Sequence, residues 1–78
     1  MKIPEIGARY RHYKNLKEYI ILSVALHTET QEFLVVYQGQ YNDPELGSKP
    51  IFARPLAMFT ETIEQEGKQV PRFTKLEN

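Results

Sequence analysis

Between Lys17 and Leu26 the apolar positions fall on every second residue: Ile20, Leu22, Val24 and Leu26 alternate with Tyr19, Ile21, Ser23 and Ala25. A period of two is that of a β-strand. The wholly apolar set predicts a central strand that lays Ile20, Leu22, Val24 and Leu26 on the core, with the mixed set opposite. Phe33 to Tyr37 (FLVVY) is the most strand-prone run, rich in β-branched and aromatic side chains. His27 to Glu32 joins the two runs. It carries neither Gly nor Asn, so a longer open hairpin loop is expected in place of a tight primed turn.

The remaining pattern is short and punctuated. Tyr10 to Lys14 has strand composition. Gly39 to Lys49 gathers Gly39, Asn42-Asp43-Pro44 and Gly47-Ser48, which is dense turn chemistry, and reads as the longest and most mobile loop. Ile51 to Ala53 reads as a strand, and Pro55 extends Arg54 before it. Pro55 to Phe59 reads as one helical turn opened by proline. Thr60 to Gln65 is a further strand, Glu66-Gly67-Lys68 a turn, and Val70 to Phe73 a last strand in which Pro71 suits an edge. Five or six short strands and one helical turn near residues 55–59 predict an all-β fold, a small barrel. The alternative is an open twisted sheet with a short helix on one face; the two differ over 55–64, where Leu56, Phe59 and Ile63 also fit a helical period.

Length and composition narrow this picture. Seventy-eight residues are expected to make a single domain spanning 1–78, and so short a chain buries only about 60% of its unfolded surface. With no cysteine, neither a disulfide nor a thiolate metal site reinforces it. The large apolar side chains are therefore expected to be structural. Lys+Arg is 10 and Asp+Glu is 10, a balance that argues against a strong non-specific nucleic-acid binder while leaving room for a local patch. No apolar run approaches a membrane span and no leader-like stretch opens the chain, so a cytoplasmic protein without membrane partners is expected.

Three groups of residues carry candidate chemistry. In Arg9 to Lys14 (RYRHYK), alternation places Tyr10 and His12 on one face and Arg9, Arg11 and Tyr13 on the other. Aromatics beside cations make a single-strand nucleic-acid platform; the plainer expectation is half-buried tyrosines and solvated arginines. His27 and Glu29 point the same way at a strand end, an arrangement that fits an acid/base pair or two metal ligands. Metal requires three or four converging ligands, so no metal and no cofactor is expected, and the plainer reading is a hydrogen-bonded loop histidine. Arg54 and Arg72 both adjoin prolines and suit bidentate capture of a carboxylate or phosphate; the plainer reading pairs them with Glu29, Glu61 or Glu64. Tyr41 is expected to be the most exposed aromatic.

Several stretches taken in order resemble a known family. They are Gly7 followed by Tyr10-Arg11-His12-Tyr13-Lys14, then Tyr19, Ala25 to Thr30 (ALHTET), Leu34 to Tyr37 (LVVY), Arg54 to Phe59 (RPLAMF) and Gly67 to Phe73 (GKQVPRF). The chain is similar to the small, mostly bacterial proteins of domain of unknown function family 1653. The resemblance implies an SH3-like β-barrel and implies no activity. It also implies a shorter connection than Gly39 to Pro50 before the Arg54 segment. The expectation is a binding or adaptor module for a protein or small ligand, with a surface drawn from Tyr10, His12, His27, Glu29, Arg54 and Arg72. The alternatives are RNA or single-stranded DNA binding through the first strand, and an acid–base enzyme built on His27 with Glu29 or His12.

Overall fold

The structure is a computed structural model that describes residues 3–76. The elements run β1 (Arg9–His12), β2 (Glu18–Leu26), β3 (Phe33–Gly39), β4 (Asn42–Asp43), β5 (Gly47–Ser48), β6 (Ile51–Pro55), α1 (Leu56–Phe59), β7 (Thr62–Gln65), β8 (Lys68–Pro71) and β9 (Phe73–Lys75). The all-β class with one helical turn is what these elements form. Strands are more numerous than the expected five or six because the two-residue β4 and β5 form a ribbon inside the 39–49 segment and because the expected last strand, Val70 to Phe73, is divided at Arg72 between β8 and β9. β7 and β8 pair as a second ribbon, with Pro71 at its end opposite Thr62.

The five longer-range strands make one antiparallel sheet in the order β6-β3-β2-β1-β9. β2 is its central strand, as its apolar pattern predicts. The edges β6 and β9 do not hydrogen-bond to each other, so the strands described here do not close the expected SH3-like barrel. What lies between them is α1 and a cluster of rings. Phe59 and Phe73 stack at 4.2 Å and 8° from parallel, and Tyr10 and Tyr37 meet Phe59 edge-on at 5.5 Å each. Tyr19, Ile21, Val35, Tyr37, Leu56, Phe59 and Phe73 are the buried apolar side chains.

Up to Ile21 the core face of β2 is the reverse of the one its alternation predicts. Tyr19 and Ile21 are buried, whereas Leu22 and Leu26 are exposed. Ile21 lies opposite Tyr37, but the ladder resumes with Ser23 opposite Val36, leaving Leu22 as the extra residue of a bulge. One extra residue exchanges the two faces of a strand. Val24 thereby returns to the core side, opposite the fully buried Val35.

α1 starts one residue later than the proline suggests. Pro55, at φ −53° and ψ 136°, ends β6 and caps the helix, while Leu56 and Phe59 turn inward. Thr60 closes it: its amide and its hydroxyl both donate to the Leu56 carbonyl at 3.0 Å. The following strand consequently begins at Thr62, not Thr60. No helix among the described residues is long and apolar enough to cross a membrane.

Candidate functional site: an arginine–aromatic cleft

β1 ends at His12 because the backbone turns there. Asn15 Oδ1 accepts the Lys17 amide at 2.8 Å, and Leu16 takes a positive φ of 59°. His12 Nδ1 accepts the Lys14 amide at 3.1 Å, so a neutral ring carries its proton on Nε2. The imidazole stands edge-on to Phe73 at 4.9 Å. Tyr13 leaves the strand and stacks on His12 at 5.0 Å, so it does not share the outer face with the arginines as alternation predicts. Arg9 and Arg11 do lie on that outer face, and both pair with Glu18, at 2.9 Å and 3.4 Å.

Arg54 reaches the same place from the far edge of the sheet. β6 pairs Phe52 with Tyr37 and Arg54 with Val35, which puts both side chains on the core side. The guanidinium sits over the Phe73 ring, 5.4 Å from its centre, and Nε donates to the Tyr37 hydroxyl at 3.3 Å. Both contacts fix the plane of the fork.

The third wall comes from the 39–49 segment. Tyr41 is half-buried instead of exposed: its ring meets Tyr19 edge-on at 5.7 Å and Lys17 Nζ sits 4.2 Å from its centre. The Tyr19 and Tyr41 hydroxyls lie 3.3 Å apart, and Asn15 Nδ2 donates to Tyr19. Burial first, and the Tyr19 hydrogen bond second, push the Tyr41 phenol well above its ordinary pKa. Asp43 Oδ1 accepts the Glu45 and Leu46 amides, which hold its carboxyl below the usual range and tighten the β4–β5 turn.

Together these segments enclose a cleft of about 220 Å³ whose lining includes His12, Asn15, Tyr41, Asp43, Phe52 and Arg54, with Tyr19, Tyr37 and Phe73 as its base. His12 is held below its ordinary pKa, first by burial, then by the positive charges of Arg54, Arg72 and Lys14. The imidazole is thus neutral at neutral pH.

The six residues singled out in the sequence separate into different places. His12 and Arg54 share the cleft, and Arg72 stands close enough to act on His12 through its charge. Arg72 itself is tied to Glu61, one of the carboxylates expected for it, and its Nε is buried without a partner. Tyr10 lies on the same sheet face but packs on Phe59 and lines a second groove of about 410 Å³ with Pro4 and Pro71. His27 and Glu29 lie past the other end of β2, about 25 Å from Tyr19 at roughly 3.3 Å per strand residue. There His27 Nδ1 accepts the amides of Glu29 and Thr30, at 3.1 Å and 3.4 Å, which braces the hairpin loop. The Glu29 side chain forms no hydrogen bond or ion pair with His27. Among the described residues no three His, Asp or Glu side chains converge as a metal cluster would.

Asn15 and Asp43 are cleft residues that sequence reasoning did not single out, and Tyr41 stood out there only as an expected exposed aromatic. The available signal was the turn chemistry itself: Asn15 and Asp43 head turns, and a tyrosine beside them has its hydroxyl brought into reach.

The fold and cleft define a small all-β domain with an aromatic-based, arginine-bearing recess. The family model described as protein of unknown function (DUF1653) matches residues 8–75, and the chain belongs to that family. Among solved structures it is similar to a crystal structure of a DUF1653 protein from Bordetella bronchiseptica, with a TM-score of 0.78 and 33% identity over 92% of this chain and 87% of that one. No curated protein matches the chain.

Proposed function

We propose that the protein is a binding module that takes a small ligand, or a side chain of a protein partner, into the cleft between β1, β6 and the β4–β5 ribbon. The observation that carries this reading is the convergence of His12 and Arg54, from opposite halves of the chain, on one recess with aromatic walls. Pockets of this character, apolar at the base with a few fixed polar groups, are the usual form of a recognition site. The half-buried His12, Tyr41 and Arg54 contribute less to the core than the fully buried rings do, yet each is held by neighbours.

A single-strand platform on β1 is less favoured, since Arg9 and Arg11 already share the Glu18 carboxylate and Tyr10 faces Phe59. An acid–base pair of His27 and Glu29 is less favoured because His27 is occupied by backbone amides.

The test is a screen of single-ring compounds of all charge types against the ¹⁵N-labelled protein. Amide shifts clustered on residues 12–15, 41–43 and 52–54 are expected. Perturbations confined to other surfaces, or none at all, count against the cleft as the recognition site.

A further inference from the structure

Each arginine other than Arg54 is paired with a carboxylate within the fold: Arg9 and Arg11 share Glu18, and Arg72 meets Glu61. Arg54 has no carboxylate partner among the described residues, although it is the half-buried one that faces a recess. Its Nε is committed to the Tyr37 hydroxyl and its plane rests over Phe73, so the two Nη groups are the part left unengaged. A guanidinium held by one nitrogen and one face presents a pre-set fork, the geometry that receives an oxyanion through two parallel hydrogen bonds.

We propose, resting on the reading of the cleft as a recognition site, that its ligand is a singly charged carboxylate carried on a group about the size of one ring, gripped by the Arg54 Nη atoms. Size sets the second half of this statement. About 220 Å³ is below the roughly 300–1,000 Å³ of sites for drug-sized molecules, and Phe52 and Tyr41 line it above the buried rings. Charge sets the first half. The lining of the cleft carries one permanent cation, Arg54, and one carboxylate, Asp43. A dianion such as a phosphate monoester is repelled by that carboxylate about twice as strongly as a single carboxylate is, while one guanidinium already balances a single charge. Neutral His12 stands beside the fork with Arg54, Arg72 and Lys14 facing it as cations, Phe73 and Tyr13 against its ring, and Asp43 in the same recess. An anion seated on Arg54 cancels part of the charge that disfavours the imidazolium, so binding draws a proton toward His12.

The probes are benzoate, N-acetylphenylalanine, phenyl phosphate, benzamide and benzylamine, followed by amide shifts and by the pH titration of the His12 ring in NMR spectra of the whole protein. Benzoate stands for a free ring acid and N-acetylphenylalanine for a polypeptide end. Saturable shifts at the cleft with either one, together with a raised His12 titration midpoint, uphold the proposal. Arg54→Gln is expected to weaken that binding by about tenfold or more and Arg54→Lys by less, as loss of a bidentate charged pair requires. Equal binding by benzamide or benzylamine overturns the carboxylate assignment and leaves the cleft standing as a site for another ligand. Tighter binding by phenyl phosphate overturns the preference for a single charge. Silence from all five at the cleft overturns this proposal and the reading beneath it together.

Discussion

Arg54 and Tyr37 lie on adjacent strands and meet through a 3.3 Å hydrogen bond from the guanidinium Nε to the phenolic oxygen. Tyr37 is 5% exposed, so a buried ring carries the one polar atom that sets the orientation of a half-buried charge. Tyr37→Phe keeps the ring and removes the acceptor. Stability is expected to change by about 1 kcal/mol or less, while affinity for benzoate falls several-fold because the fork is no longer pinned. Denaturant midpoints and the Arg54 Nε–H resonance, compared with the binding curve, separate the two effects.

His12 makes stability depend on pH. Its pKa is lowered in the folded state, mainly by burial, so below the ordinary value of 6.5 the unfolded chain binds a proton that the folded chain resists. Stability is therefore complete above that value and declines as pH falls through the range just beneath it. His12→Asn retains an acceptor for the Lys14 amide without titrating. Urea midpoints measured from pH 7.5 to 5 are expected to slope less in this variant than in the parent.

The bulge in β2 predicts opposite outcomes for adjacent residues. Ile21→Ala opens a hole beside Tyr37 and should cost about 2–5 kcal/mol. Leu22→Ala, on the exposed bulged position, should change stability by about 0.5 kcal/mol. Chemical denaturation of both variants settles which face is buried; the reverse ranking would restore the register that simple alternation implies.

Gly39 lies under the Tyr41 ring. A Cβ there would come 2.5 Å from Tyr41 Cε1 and 2.9 Å from Cζ, so Gly39→Ala must displace the ring. The expected cost is about 1–3 kcal/mol of overpacking, accompanied by loss of the Tyr19–Tyr41 hydroxyl contact. The chemical shifts of the Tyr19 and Tyr41 rings report that displacement, and unchanged shifts would refute it.

These contrasts show which parts of the molecule local pattern encodes. The β2–β3 hairpin, the turn at Glu66-Gly67 and the short helix after Pro55 follow from residues that act on their own backbone, and each is readable from its neighbours. The face of β2 is not, because the bulge at Leu22 depends on how the ladder with β3 is best filled, and both faces of the strand offer apolar side chains. The Arg72–Glu61 pair was within reach as one of three carboxylates near in sequence or fold. The union of His12 with Arg54, and the distance of both from His27, follow from strand order, which periodicity does not state. Histidines look alike in a sequence; one here accepts backbone amides within a loop and the other borders a recess.

The placement of β9 against β1 has a consequence for how the molecule is made. Phe73 lies opposite His12 in the ladder and forms the base over which Arg54 rests. A chain leaving the ribosome N-terminus first can form the β2–β3 hairpin early, since its partners are close in sequence. The base of the recess stays incomplete until residue 73 has emerged and added itself beside the first strand. A chain that stops short of β9 keeps Arg54 on the Tyr37 hydroxyl and His12 at the end of β1, but lacks the ring over which the guanidinium rests.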